Sequence, residues 1–310
     1  MKIVAVEPLG ITAQKAAEIA ADFAREGHEF LFYADRKEDK ESLKERMRDA
    51  DIILISNIPL DAEVLAASSR LKFIALAFTG MDHIDLEYCR THDIRICNAA
   101  GYATRAVAEL AVGLMIDVYR RITELDARTR RSGTRESFLG RELYGKTAGI
   151  VGTGAIGTQT ARLLQAFGCK VVAYNRSEHE EIKAMGIPYL PLEELMRQSD
   201  IISLHLPLTA ETRHLVSASM LALCKPTAVL INTARGNVVD MDALAASLQA
   251  GRLAGAGIDV FEKEPPLPAG HPLLDAPQVV LTPHVGYATR EAFDIRIELE
   301  LEHIWQYLRS

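Results

Sequence analysis

With 310 residues, 48% of them hydrophobic, and a formal net charge of −7, the chain has room for two domains with substantial cores. The acidic balance and the lack of any Lys/Arg block argue against nucleic acid or an anionic membrane surface as the main partner. No apolar run approaches membrane-spanning length, and the opening run 1–6, followed by Glu7 and Pro8, is too short for a secretion signal.

Apolar runs at 2–6, 29–33, 51–55, 72–76 and 94–97 read as strands, with helical segments near 12–25, 39–49, 61–67 and 85–91 between them. Such alternation predicts a parallel sheet with helices on both faces, and the charge run 37–46 reads as a solvated helix face. From Gly101 a long helical pattern, 106–116 and onward, carries the chain away, and an arginine-rich polar stretch at 128–137 follows. A second block then runs to about residue 285. The final segment, 290–308, has helical periodicity and no strand after it to join the second sheet, so it is expected to return to the first domain. The predicted division is therefore 1–98 with 286–310, and 99–285 between them.

The second block opens on a dinucleotide-binding pattern. An apolar strand at 147–151 runs into GTGAIG at 152–157, then a helical run 158–167 stopped by Gly168, then a strand at 170–174. Gly152 permits a tight turn, Gly154 lets a pyrophosphate approach the backbone, and Gly157 lets helix and strand pack closely. With Ala155 and Ile156 in its first turn, the helix offers free N–H groups to the phosphates.

Three later strands lead to polar residues. The run 228–232 leads to Arg235, 255–260 to Glu264, and 279–282 to Pro283 and His284. In an open α/β sheet the ligand crevice lies at the carboxyl ends of the strands, so these side chains can converge on one substrate. Histidine exchanges a proton near neutral pH, a neighbouring carboxylate favours its charged form, and arginine grips a carboxylate with two parallel hydrogen bonds. The four cysteines, Cys89, Cys97, Cys169 and Cys224, show no C-x-x-C pair and no metal spacing. Packed free thiols in a reducing cytoplasm, and no metal, are expected.

Taken in order, TGMDHID at 79–85, VAE at 107–109, GTGAIG at 152–157, SLHLPLT at 203–209, NTARGNVVD at 232–240, GIDVFEKEP at 257–265 and TPHVG at 282–286 make the chain resemble the D-isomer-specific 2-hydroxyacid dehydrogenases. The resemblance implies two doubly wound parallel-sheet domains: a flavodoxin-like substrate domain from the two chain ends and an inserted Rossmann cofactor domain, with the active site in the cleft. It also implies that Arg235 holds the substrate carboxylate and carbonyl, that His284 is the acid/base, and that Glu264 orients His284. Asp259 would accept from the nicotinamide carboxamide, the alternative being a turn cap. Thr233 and Ala234 would line the nicotinamide, and backbone N–H groups of Thr79, Gly80 and Met81 would hold the substrate carboxylate. His205 is open between a structural and a ligand-contacting role.

Two features bear on specificity. An NAD-specific fold ends its second strand on an acid that accepts from the ribose, whereas this chain reads Tyr174, Asn175, Arg176, Ser177. Loss of the acid and gain of Arg176 and Ser177 favour NADP(H), with NAD(H) as the alternative; the acids at 178–181 weigh against the phosphate. The uncharged run 53–60 suits a small unphosphorylated acid such as glyoxylate or hydroxypyruvate. A D-3-phosphoglycerate dehydrogenase-like enzyme and a dinucleotide-sensing binding protein on the same fold are the alternatives. The polar segment 121–145 lies where relatives extend an arm across a partner, so a homodimer is expected.

Overall fold

The computed structural model describes residues 1–310 and divides into two compact units, Met1–Ala103 with Ala288–Ser310, and Thr104–Tyr287. In chain order the first stretch holds β1 (Lys2–Ala5), α1 (Ala13–Arg25), β2 (Glu29–Phe32), α2 (Lys40–Met47), β3 (Ile52–Ile55), α3 (Ala62–Leu65), β4 (Phe73–Leu76), α4 (Leu86–Thr91) and β5 (Arg95–Asn98). The middle stretch holds α5 (Thr104–Arg120), α6 (Ile122–Arg130), β6 (Thr147–Val151), α7 (Ala155–Ala166), β7 (Lys170–Tyr174), α8 (Glu180–Ala184), α9 (Leu192–Gln198), β8 (Ile201–Leu204), α10 (Ala218–Leu221), β9 (Val229–Asn232), α11 (Met241–Gln249), β10 (Gly255–Ile258) and β11 (Val279–Leu281). The terminal helix is α12 (Arg290–Leu308). No helix is long and apolar enough to cross a membrane.

In the first unit the strands form one parallel sheet in the order β2-β1-β3-β4-β5. The central strands β3 and β4 are buried at every residue, as strands covered on both faces must be. Thr12 caps α1 by accepting from Lys15 N, and Ile19 and Phe23 on one face of that helix enter the core. Thr289 caps α12 in the same way, accepting from Ala292 N, and the helix packs on β4 and β5. There Trp305 stacks on Phe23 at 4.5 Å and Tyr307 on Phe73 at 4.6 Å.

Three charged residues in this unit, Arg46, Arg296 and Glu300, sit where the sequence does not predict them. Arg46, in the charge run expected to be a solvated face, is buried. Its guanidinium donates to Val6 O (2.8 Å), Asp35 O (2.7 Å) and Asp35 Oδ1 (2.7 Å), and lies over the Tyr33 ring. On α12, buried Arg296 donates to Leu9 O (2.6 Å) and Ala77 O (3.2 Å). Glu300, one turn further on, is fully buried with neither carboxylate oxygen hydrogen-bonded, and His303 Nδ1 is 3.9 Å from its Oε1. Desolvation pushes the Glu300 carboxyl up to about 8 although the Arg296 charge opposes the shift.

The second unit carries a six-stranded parallel sheet in the order β11-β10-β9-β8-β6-β7. Alternate residues of each strand face opposite cores. Ile150, Val171, Ile201, Val229 and Ile231 pack with α5, α7 and α8, while Val151, Ile202, Leu204, Leu230 and Ile258 pack with α9, α10 and α11. The arginine-rich stretch proves helical as far as Arg130. Arg121, at φ +49°, breaks α5 from α6, and the Asp117 carboxylate accepts from Thr123 N (2.9 Å) to start the new helix.

Candidate active site

All six strands of the second unit stop at one level. Tyr174 pairs with Val151, Val151 with Leu204, Leu204 with Asn232, Asn232 with Ile258, and Ile258 with Leu281. The residues next in the chain are therefore set side by side along the carboxyl edge: Asn175, Gly152, His205, Thr233, Asp259 and Thr282. Backbone bonds extend the row past the strands, from Gly152 N to Tyr174 O, His205 N to Val151 O, Asp259 N to Asn232 O and Thr282 N to Ile258 O. Strand β10 ends at Ile258 rather than at the expected Val260, which leaves Asp259 in the loop.

At the β6 end the three glycines have separable causes. Gly152 has φ +99°, and a Cβ there would lie 2.6 Å from His205 O. A Cβ on Gly157 would lie 1.9 Å from Gly152 O, so helix and turn approach only through glycine. Gly154 is different, because a Cβ there meets nothing within 4 Å and its φ of −68° suits any residue. As N-cap of α7 it offers no side chain to the first-turn N–H groups, and no acid occupies that turn. Uncapped donors beside open space, with Ala155 and Ile156 in the first turn, fit a dinucleotide pyrophosphate.

The β7 end supplies Asn175, Arg176 and Ser177. Asn175 Nδ2 donates to Ser177 O (2.8 Å) and lies 3.3 Å from His179 Nε2. Arg176 is exposed, and its charge helps Thr209 Oγ1 hold the Glu211 carboxyl below the usual carboxylate range, the Thr209 hydrogen bond being the larger cause. Tyr189, which carried no signal in the sequence, links this loop to the glycine turn, because its hydroxyl meets both Thr153 Oγ1 and His179 N at 2.9 Å. His205 lies beside that turn. Its Nε2 meets Ser203 Oγ at 2.9 Å, and burial holds its imidazole down to about 3.

At the other end of the sheet, Arg235 follows β9 in extended conformation. Asn232 Oδ1 accepts from Ala234 N and Asn232 Nδ2 donates to Arg235 O (2.9 Å), which braces the loop, while Arg235 Nη1 donates to Ala234 O. Gly236 is required next, since a Cβ there would lie 1.9 Å from Phe261 C. Thr233 Oγ1 is buried with no partner, an orphaned hydroxyl at the strand end where the nicotinamide is expected. Beyond β11, His284 adopts φ +54°, its Nδ1 lies 3.0 Å from Glu264 Oε1, and its ring meets Tyr287 edge-on at 5.5 Å. Asp259, buried, accepts from Thr282 Oγ1 (2.5 Å), Val285 N (2.9 Å) and Gly286 N (2.9 Å). Thr79, Gly80 and Met81 belong to the first unit, in the loop after β4, where Asn98 Nδ2 donates to Thr79 O (2.7 Å).

A parallel sheet with an uncapped glycine turn at one switch of strand order and a histidine–carboxylate pair at neighbouring strand ends defines a nicotinamide-dependent oxidoreductase of the Rossmann type. Residues 112–286 match the family model for the D-isomer specific 2-hydroxyacid dehydrogenase NAD binding domain. A glyoxylate reductase of Korarchaeum cryptofilum is 38% identical over 87% of this chain and 83% of its own length. Among solved structures, a Thermus thermophilus protein superposes at a TM-score of 0.89 with 36% identity, covering 100% of this chain and 97% of that one. An acyclic imino acid reductase in complex with NADPH and D-Arg superposes at 0.87 with 31% identity, covering 100% and 97%. The chain belongs to the D-isomer-specific 2-hydroxyacid dehydrogenase family. It is an NAD(P)-dependent enzyme acting on the CH–OH group of its donor.

Proposed function

We propose that this dehydrogenase reduces glyoxylate, or a similarly small unphosphorylated 2-keto acid, with NADPH. The observation that carries the proposal is the 3.0 Å approach of His284, after β11, to Glu264, in the loop after β10 that also presents Asp259, with Arg235 following the next strand, β9. The Arg235 guanidinium binds the substrate carboxylate through two parallel hydrogen bonds and so fixes the keto carbon. A reduced nicotinamide, which the glycine turn and the strand ends at Thr233 and Ala234 would hold, would supply the hydride. With Nδ1 turned to Glu264, His284 donates from Nε2 to the keto oxygen as it becomes an alkoxide, and the Glu264 carboxylate stabilises the imidazolium before transfer. Thr233 Oγ1 and the backbone of Ala234 line the nicotinamide side.

For the cofactor, Asn175 removes the anion that would repel a 2′-phosphate, and Arg176 and Ser177 supply a cation and a donor to bind one. Solved neighbours on this fold hold either cofactor, NADPH in the imino acid reductase and NAD in a D-lactate dehydrogenase of Aquifex aeolicus, so the choice rests on residues 175–177. We also read the enzyme as a cytoplasmic homodimer. An apolar groove of about 500 Å³ runs between α5 and edge strand β11, lined by Leu110, Leu114, Val118, Val279 and Leu281. Ile122, Leu139 and Tyr144 are exposed in the neighbouring arm. The buried thiols of Cys89, Cys169 and Cys224, each pushed up to about 11 by desolvation, suit a reducing compartment.

Steady-state assay of a panel of 2-keto acids with both reduced cofactors tests the proposal. The expected result is the highest kcat/KM for glyoxylate or hydroxypyruvate with NADPH. Turnover confined to phosphorylated or long-chain acids, or a preference for NADH, contradicts the corresponding part. A monomeric mass by light scattering at micromolar concentration contradicts the dimer.

A further inference from the structure

We infer that Arg296 of α12 is a positioning residue for the loop Thr79–Met81: its buried guanidinium ties together the chain leaving β1, β3 and β4, and so fixes the backbone N–H groups that would take the substrate carboxylate. The inference rests on that loop holding the substrate. All the groups involved belong to the first unit.

Arginine is seldom fully buried unless it is paired, yet Arg296 is only 3% exposed and its hydrogen bonds all end on neutral oxygens. Nη2 donates to Leu9 O at 2.6 Å, and Nη1 is shared between Ala77 O at 3.2 Å and, more weakly, Ser56 Oγ at 3.4 Å. The guanidinium carbon lies 4.2 Å from the centre of the Phe293 ring and 5.8 Å from that of Tyr102. Holding a charge out of water with no carboxylate in contact is costly, and what offsets the cost is the set of oxygens it satisfies. Those oxygens have one thing in common. Ser56 and Ala77 are the first residues after β3 and β4, Leu9 lies in the loop after β1, and the three strands are neighbours in the sheet. Leu9 has φ +53°, unfavourable for a residue with a Cβ, and the 2.6 Å bond to its carbonyl holds it there. Gly10, at φ +73°, admits the Phe293 ring, since a Cβ there would lie 2.5 Å from it.

From this anchor the loop is pinned on both sides. Ala77, whose carbonyl accepts from Arg296, stands two residues before Thr79. His83, two residues past Met81, brings Nε2 to 3.0 Å from Ser56 O, and its own carbonyl accepts from Leu60 N at 2.9 Å. Entry and exit are thus both referred to Ser56, the one through Arg296 and the other directly. Between them Ala99 N donates to Phe78 O at 3.1 Å and Asn98 Nδ2 to Thr79 O at 2.7 Å. With the carbonyls of Ala77, Phe78 and Thr79 all engaged, the peptide planes leading into the loop are set. The N–H groups of Thr79, Gly80 and Met81 meet no protein acceptor, which leaves three consecutive donors for an anion.

Three substitutions test the tether. Arg296→Met keeps an apolar stem and removes the fork, Arg296→Lys keeps the charge but cannot match the planar set of donors, and His83→Leu cuts the tie on the far side. Each would be measured for KM toward glyoxylate, for inhibition by the substrate analogue oxamate, for kcat, for the NADPH dissociation constant and for Tm. Arg296→Met is expected to raise KM and the oxamate constant by about 30-fold, and Arg296→Lys and His83→Leu by about 5- to 10-fold. In all three, kcat at saturating glyoxylate should stay within about five-fold of parent and the NADPH constant within about three-fold. An arginine that only stabilised the fold would lower Tm without this split between substrate and cofactor. Parent-like KM and oxamate binding in a folded Arg296→Met, or NADPH affinity falling in step with oxamate affinity, overturns the inference. Should the Met variant not fold, parent-like values in Arg296→Lys and His83→Leu do the same. Gly80→Val, which crowds the N–H groups directly, keeps the two levels distinct. Weakened oxamate binding in Gly80→Val with parent-like Arg296 variants sinks only the tether, whereas parent-like binding in Gly80→Val sinks the reading of the loop and the inference with it.

Discussion

Gly154 and Gly157 lie three residues apart in one motif, yet adding a methyl group to each should have different consequences. At Gly157 the new Cβ would lie 1.9 Å from Gly152 O, and contacts under 3.0 Å are essentially never seen. Turn and helix must therefore part by more than an ångström, and the obstacle is backbone rather than a flexible side chain. Overpacking of this kind costs about 1–3 kcal/mol, and the displaced first turn of α7 loses its aim at the phosphates. At Gly154 the backbone already has φ −68° and the Cβ meets no protein atom within 4 Å, so the fold should accept alanine without loss. The space it enters is the one assigned to the pyrophosphate. Gly157→Ala should lower Tm by several degrees and weaken NADPH binding by about 30-fold or more, while Gly154→Ala should leave Tm within about a degree and weaken binding by about ten-fold or more. Differential scanning fluorimetry and titration of NADPH fluorescence read the two quantities separately. Parent-like NADPH affinity in Gly154→Ala, with the variant folded, would refute the placement of the phosphates.

Two further predictions test other parts of the molecule. Arg176→Ala should raise KM for NADPH by about ten-fold with little change for NADH, and Asn175→Asp should shift preference toward NADH; neutrality of both toward NADPH removes the 2′-phosphate assignment. Buried Glu300, flanked by Arg296 and His303 on α12 and near Cys97 on β5, holds its proton in the folded state up to about 8. An unfolded chain releases that proton near the usual glutamate value, so this group lowers stability as pH rises from about 4.5 to about 8, by up to about 5 kcal/mol. Glu300→Gln should flatten that decline and melt higher than parent at pH 8.5, and identical pH dependence of the two proteins would show that Glu300 does not titrate in this window.

Much of the fold was legible because its signals are local. The strands at 147–151 and 170–174 are continuous apolar runs beside a glycine turn, and both are found at those residues. The helix at 290–308 is bounded by a threonine cap, and its buried residues Ala292, Arg296, Ile297, Glu300 and Ile304 fall at helical spacing. The pairing of Glu264 with His284 was also within reach, since each follows a strand of one parallel sheet. What the sequence hid depends on partners distant in the chain. Arg46 is buried because Val6 O and Asp35 need a donor, and Glu300 because α12 lies against β4 and β5; neither residue differs in sequence from a solvated charge. Asp259 reads equally as a turn cap or a ligand until the register places Thr282, Val285 and Gly286 around its carboxylate. Tyr189 is invisible for the same reason, because its two hydroxyl partners come from loops after different strands.

In this mechanism a proton passes from His284 to a keto oxygen while the cofactor is held independently along the same edge. Single-turnover reduction of glyoxylate by His284→Ala saturated with NADPH tests it most directly, with NADPH affinity measured on the same preparation. The expected rate is about two to four orders of magnitude below parent, with cofactor affinity nearly unchanged. A rate within about five-fold of parent would contradict it.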